Sequence, residues 1–174
     1  DFSTLKGNIQ DYSADVISER EDKVRTINYE KLRSAEEVKI ANFLFMNGIE
    51  YEYEKPYPYN IQGSMKVYTP DFTITQGDKV AYIEHFGITE SGENNRYSQE
   101  QLERYKNAVN DKITLHRRHK TDLIYTFSQY NDGVPFLAHL EQQLKSHGFV
   151  LSPLSSKEVF ERIVSTEENK YIAR

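Results

Sequence analysis

Two runs, VYTPDFTIT and KVAYIEHFGI, flank Gly77-Asp78 and restrict the fold more tightly than any other part of the chain. A Gly-Asp pair between two β-rich runs signals a tight hairpin turn, so the runs read as adjacent antiparallel strands. The second is apolar enough to be a central strand covered on both faces. Each nevertheless carries a carboxylate: Asp71 follows Pro70, and Glu84 lies inside Ala81–Gly87. Side chains on paired strands meet across the ladder, so the two acids can share one place. A carboxylate in so apolar a strand is costly unless it is paired or bound to a cation. Two readings stay open: a metal or catalytic site, whose clustered oxygens suit Mg²⁺ or Mn²⁺, and a buried ion pair with a Lys or Arg.

Composition narrows the setting. The chain has 174 residues, 28% of them charged, and its mean hydropathy of -0.75 is low for a globular protein. Its 13 Tyr and 9 Phe supply the core that a disordered composition lacks. With no Cys, a disulfide scaffold, a thiolate zinc site and a cysteine nucleophile are excluded. No apolar run approaches the roughly 18 residues of a membrane span. The opening DFSTLKGNIQ has no signal-peptide pattern and no Met, so the expectation is a cytoplasmic piece excised or processed from a longer chain.

Residues 1–33 read as an arm or linker, with DVISEREDKVR as a charge-laced helix or connection. SAEEVKIANFLFMNG reads as a helix, with Ser34 as N-cap, Glu37 three residues on and Gly48 at the end. Glu37 shares a face with Ile40, Ala41 and Leu44, whereas Glu36 is expected in solvent. IEYEYE alternates as a half-buried strand, residues 97–119 form a long helix, and DLIYTFS is a further strand. PFLAHLEQQLKSHG is a helix, FVLSPL a short fifth strand, and SSKEVFERIV a last helix capped by Ser155 or Ser156 with Glu158 near its start. This order predicts an α/β domain over 34–165 with a mixed sheet, hairpin-linked strands first and then a helical crossover, and a tail at 166–174.

The ordered set SAEEVKIANFL, IEYEYE, YTPDFTI, YIEHFGI and DLIYTFS resembles the PD-(D/E)XK nuclease core, and more narrowly the nuclease-like domain of bacterial superfamily 1 DNA helicases of the UvrD type. The likeness spans roughly residues 24–165, with Asp71 and Glu84 13 positions apart. It implies a restriction-endonuclease-like fold: a helix, a three-stranded hairpin sheet, a crossover helix and a fourth strand, followed here by extra C-terminal helices. It implies Mg²⁺ or Mn²⁺ held by Asp71, Glu84 and Glu37, and phosphodiester hydrolysis. The family's lysine two positions after the Glu is absent, and Phe86 stands there. Lys112 is the replacement that the resemblance suggests. Gln101-Leu102-Glu103-Arg104-Tyr105 looks like the QxxxY motif of recombination exonucleases, which assigns Gln101 and Tyr105 to the DNA strand. Gln101, Tyr105 and Lys112 lie within about 40° of one another on a helix.

Seven Lys or Arg stand against three Asp or Glu between Arg96 and Lys120, in a chain of net charge -5. Arg117 and Arg118 are therefore candidate contacts to a nucleic-acid backbone, with His116 and His119 adding charge below about pH 6.5. His85 points away from Glu84 and reads as a packed or hydrogen-bonded residue rather than a ligand. There is no Walker motif, so ATP belongs only to the rest of a parent helicase. The expectation is a magnesium-dependent deoxyribonuclease domain for DNA repair, with DNA and the remaining helicase chain as partners and no membrane. The alternatives are a DNA-binding or regulatory helicase insert that has lost cleavage, and an unrelated α/β protein-interaction domain.

Overall fold

A computed structural model describes residues 24–172, with side chains from Arg25 to Thr166. Most of the DVISEREDKVR stretch lies outside the described residues. The fold is α/β, with four helices among the described residues. The described residues divide into two compact units, one from residues 24–49 and 151–172 and the other from 50–150. No described helix is long and apolar enough to cross a membrane.

In the first unit, Val24–Arg25 (β1) pairs antiparallel with Lys31–Leu32 (β2). Part of the expected arm is thus a small ribbon, tied to the following helix by the Ile27 N–H, which donates to Asn42 Oδ1 at 2.9 Å. That helix, Ala35–Met46 (α1), buries Val38, Ile40, Ala41, Leu44 and Phe45. Ser34 Oγ accepts from Glu37 N–H at 3.1 Å, and Glu37 Oε2 accepts from Arg33 N–H at 3.1 Å. Gly48 turns the chain with φ of 70°, and a Cβ there would come within 3.1 Å of the Ser152 carbonyl. Ser156–Ile172 (α4) is longer than the sequence pattern suggests and runs into the expected tail. Its capping box is complete, Ser155 N–H donating to Glu158 Oε2 at 2.7 Å and Glu158 N–H to Ser155 Oγ at 3.2 Å.

The second unit holds a four-stranded mixed sheet. Glu50–Tyr53 (β3), Phe72–Gln76 (β4), Lys79–Thr89 (β5) and Leu123–Gln129 (β6) lie in that order. β4 and β5 form the expected hairpin, with Gln76 opposite Lys79 and Phe72 opposite Ile83. β5 and β6 run parallel, joined by the crossover helix Gln99–Arg118 (α2). Phe136–Ser146 (α3) follows β6. β5 is covered on both faces, which explains its composition. Phe86 and Ile88 pack with Leu102 of α2, whereas His85 turns the other way and its ring lies 5.0 Å from Phe136 of α3.

FVLSPL does not form the expected strand. Val150 is held instead by the Gln76 side-chain amide, which accepts its N–H at 2.8 Å and donates to its carbonyl at 2.9 Å. Further on, Ser152 and Leu154 donate their N–H groups to the Asn47 and Met46 carbonyls at the end of α1. A side chain and a helix end meet the backbone demand that a neighbouring strand would otherwise meet.

α2 begins with a full capping box: Gln101 N–H donates to Ser98 Oγ at 3.2 Å, and Ser98 N–H to Gln101 Oε1 at 2.8 Å. Ser98→Ala should lower stability by about 1 kcal/mol, to be read from urea unfolding curves.

Candidate functional site

The register of the hairpin, carried one step beyond Phe72 and Ile83, sets Asp71 opposite Glu84. Asp71 Oδ2 accepts the His85 backbone N–H at 2.6 Å, which seats its carboxylate against β5. Glu84 is only 1% exposed. Its Oε2 accepts from Lys112 Nζ at 2.7 Å, and its Oε1 accepts from the Tyr68 hydroxyl at 2.6 Å. The ammonium that the crossover helix delivers also lies 6.0 Å from the Phe86 ring centre. β5 alternation puts Glu84 and Phe86 on one face, so Lys112 reaches over the position where the resembled family keeps its lysine.

Behind Glu84 runs a chain of hydrogen bonds. Tyr68 Oη lies 3.1 Å from His116 Nε2, His116 Nδ1 lies 2.8 Å from Thr121 Oγ1, and Thr121 Oγ1 lies 2.6 Å from Tyr57 Oη. The single Tyr68 proton goes to the carboxylate, so the bonding pattern assigns the imidazole proton to Nε2, donating to Tyr68. Nδ1 then accepts from Thr121, and Tyr57 donates to Thr121. Burial lowers the His116 pKa to about 4, with the positive charges of Lys112 and His119 adding to the effect. The ring is therefore neutral at pH 7, and the expected contribution of His116 to a cationic surface below pH 6.5 is corrected. Burial, reinforced by the neighbouring Glu84 charge, pushes the Tyr68 hydroxyl far up, so it remains a donor.

On the same side, a register shift between Phe86 and Thr89 interrupts the β5–β6 ladder. There Gly87 N–H donates to Tyr105 Oη at 2.8 Å. Burial pushes the Tyr105 hydroxyl up to about 12, an effect that the Gly87 N–H opposes and that the Asp71 and Glu84 charges reinforce. Both carboxylates thus act on both tyrosines. The structure brings Asp71, Glu84, Lys112 and Tyr105 to one region of the second unit. Gln101 is placed differently, as a capping residue whose side chain binds the Ser98 backbone. Arg117 and Arg118 are exposed at the far end of α2. Glu37 and Glu36 are both half-buried in the first unit, so Glu36 is not left in open solvent as expected. His85 Nδ1 meets Thr126 Oγ1 at 2.8 Å, the hydrogen-bonded role read from its strand phase.

Tyr68 is the residue that sequence reasoning missed, and His116, expected there only as a surface charge, stands instead behind Glu84. His116 sits four residues after Lys112, on the same helix face, which was a usable signal. Tyr68 comes from the irregular segment between β3 and β4 and carried none. The two carboxylates have the donor chemistry of a hard-cation site. Among the described residues, no three His, Asp or Glu side chains are grouped so as to hold a metal ion.

Comparisons with known proteins give no family for this arrangement. No family model matches the chain, and neither a curated protein nor a solved structure matches it.

Proposed function

We propose that the second unit is a metal-dependent DNA phosphodiester hydrolase domain of the kind that PD-(D/E)XK nucleases carry, within a longer cytoplasmic DNA helicase acting in repair. The supporting observation is the placement of Lys112, whose ammonium lies 2.7 Å from Glu84 Oε2 and over Phe86. In this reading the crossover helix supplies the cation that β5 does not carry at Phe86. Asp71 and Glu84 would hold Mg²⁺ or Mn²⁺, which when bound would neutralise charge on the scissile phosphate. Lys112 orients the attacking water or stabilises developing charge, and Tyr68 holds the Glu84 carboxylate in one rotamer. Tyr105, fixed by Gly87 N–H, borders the strand to be cut. ATP chemistry belongs to the remainder of the parent chain.

A second reading has its own observation. Both Glu84 oxygens are already engaged, by Lys112 and by Tyr68, as a domain that binds DNA without cutting it would allow. Incubation of labelled single- and double-stranded DNA with Mg²⁺, Mn²⁺ or EDTA separates the two. Hydrolysis should require the metal, and Asp71→Asn should slow it by about 100-fold or more. DNA binding without cleavage in either metal would replace the hydrolase with the inactive insert.

A further inference from the structure

We propose that the stacked Tyr59–His119 pair and the cations beside it form a docking platform for single-stranded nucleic acid. This deepens the hydrolase reading and rests on it for the fate of the bound strand, not for the binding itself. The cations come first. Arg117 and Arg118 end α2, and Lys120 follows its C-cap, His119. All three are exposed, and among the described residues no carboxylate forms an ion pair with any of them. A helix C-terminus carries only about half a negative charge, so three full positive charges exceed what the dipole needs. On a chain of net charge -5, they leave a local patch suited to a polyanion.

The aromatic component makes the patch more specific. Tyr59 is 46% exposed, so part of its ring is open to a ligand. It is not loose: its ring stacks on His119 at 3.5 Å with 7° between planes. Tyr57 meets it edge-on at 5.7 Å, and the Tyr57 hydroxyl bonds Thr121 Oγ1 just past the helix end. The segment that carries Tyr59 is closed on itself as well. Tyr57 N–H donates to the Tyr68 carbonyl at 2.9 Å, and Tyr68 N–H to Asn60 Oδ1 at 3.2 Å. The ring is thus held in place before any ligand arrives, which removes an ordering cost from binding. Cations for phosphates beside a fixed aromatic ring are the two parts of a single-strand site. Duplex DNA, whose bases are already stacked on each other, satisfies the cations alone.

Fluorescence anisotropy in EDTA, where cleavage cannot contribute, tests the assignment. The probes are a labelled oligothymidine of about a dozen nucleotides, an abasic strand of equal charge, and a hairpin duplex. Oligothymidine should bind more tightly than either of the others. Tyr59→Ala should weaken oligothymidine binding about tenfold and leave the abasic strand unchanged, with Tyr59→Trp restoring affinity. Arg117→Ala with Arg118→Ala should weaken all three probes and flatten the salt dependence. Photocrosslinking of an iodouridine-substituted strand to the unaltered protein should label Tyr59 or His119, which keeps the test valid if a variant folds poorly. Equal binding of the oligothymidine and abasic strands, or crosslinks only elsewhere, overturns the platform. Absence of binding to every probe does so too, and directs the patch to an acidic protein partner. Loss of cleavage with single-strand binding intact would sink the hydrolase and leave this proposal standing.

Discussion

Replacing Lys112 by methionine should destabilise the protein by about 3–5 kcal/mol, the range for removing one partner of a buried ion pair. Glu84 is 1% exposed and the Lys112 side chain 28% exposed, so the carboxylate cannot turn to water when the ammonium is lost. Methionine keeps most of the aliphatic stem, so the effect reads the charge rather than a cavity. Tyr68 would remain as a donor on the other oxygen, but a neutral hydrogen bond does not replace the charge of the ammonium. Glu84→Gln in the Lys112→Met background should recover most of the loss, because the pair is removed together. Urea unfolding at pH 7 of wild type, both single variants and the double variant gives the coupling directly. A Lys112→Met deficit under about 1 kcal/mol, the level of an exposed pair, would mean that Glu84 is compensated elsewhere. The Lys112 role in the hydrolase would then lose its structural basis.

The same pair shows which features can be read from sequence. The hairpin was legible because its signals are local: a Gly-Asp turn, two β-rich runs and an acid in each. The covered strand was legible in YIEHF, and its alternation placed His85 and Glu84 on opposite faces. The phase of α2 followed from spacing, which is why Tyr105 and Lys112 both face β5. Gln101 shares that stripe yet serves as a cap, since capping depends on the residue three before it, Ser98, and the stripe does not report that. What remained hidden was supplied from a distance. Tyr68 lies 16 residues before Glu84 in an irregular segment, and no periodicity ties the two together. The small ribbon at Val24–Leu32 was hidden for a different reason, since two-residue strands leave no pattern. FVLSPL has strand composition, but its partners are a glutamine amide and a helix end.

Stability should fall as pH is lowered from about 6.5 to about 4, by roughly 3 kcal/mol in all and roughly 2 kcal/mol by pH 5, with His116 responsible. The folded-state pKa of His116 is lowered to about 4 from an ordinary value of 6.5. Over that interval the unfolded chain binds a proton that the folded chain refuses, so stability rises with pH and is complete above about 6.5. The cause is not a lost hydrogen bond. A protonated ring can donate from Nδ1 to Thr121 Oγ1, which has lone pairs for both His116 and Tyr57. The cost comes from burial of the charge and from the Lys112 ammonium on the next turn of the same face. Removing the titrating group should therefore flatten the profile. His116→Gln, which keeps a donor and an acceptor, should be less stable than wild type at pH 7 but show a smaller drop between pH 7 and pH 5. Carboxylates with lowered pKa values, Asp132 and Glu158, act only at the acid end of this window. Urea midpoints at pH 7, 6 and 5 for the two proteins decide the matter. A wild-type midpoint that does not move, or an equal drop in His116→Gln, would show that the ring accepts its proton without cost and that the chain behind Glu84 is more open to water than its burial indicates.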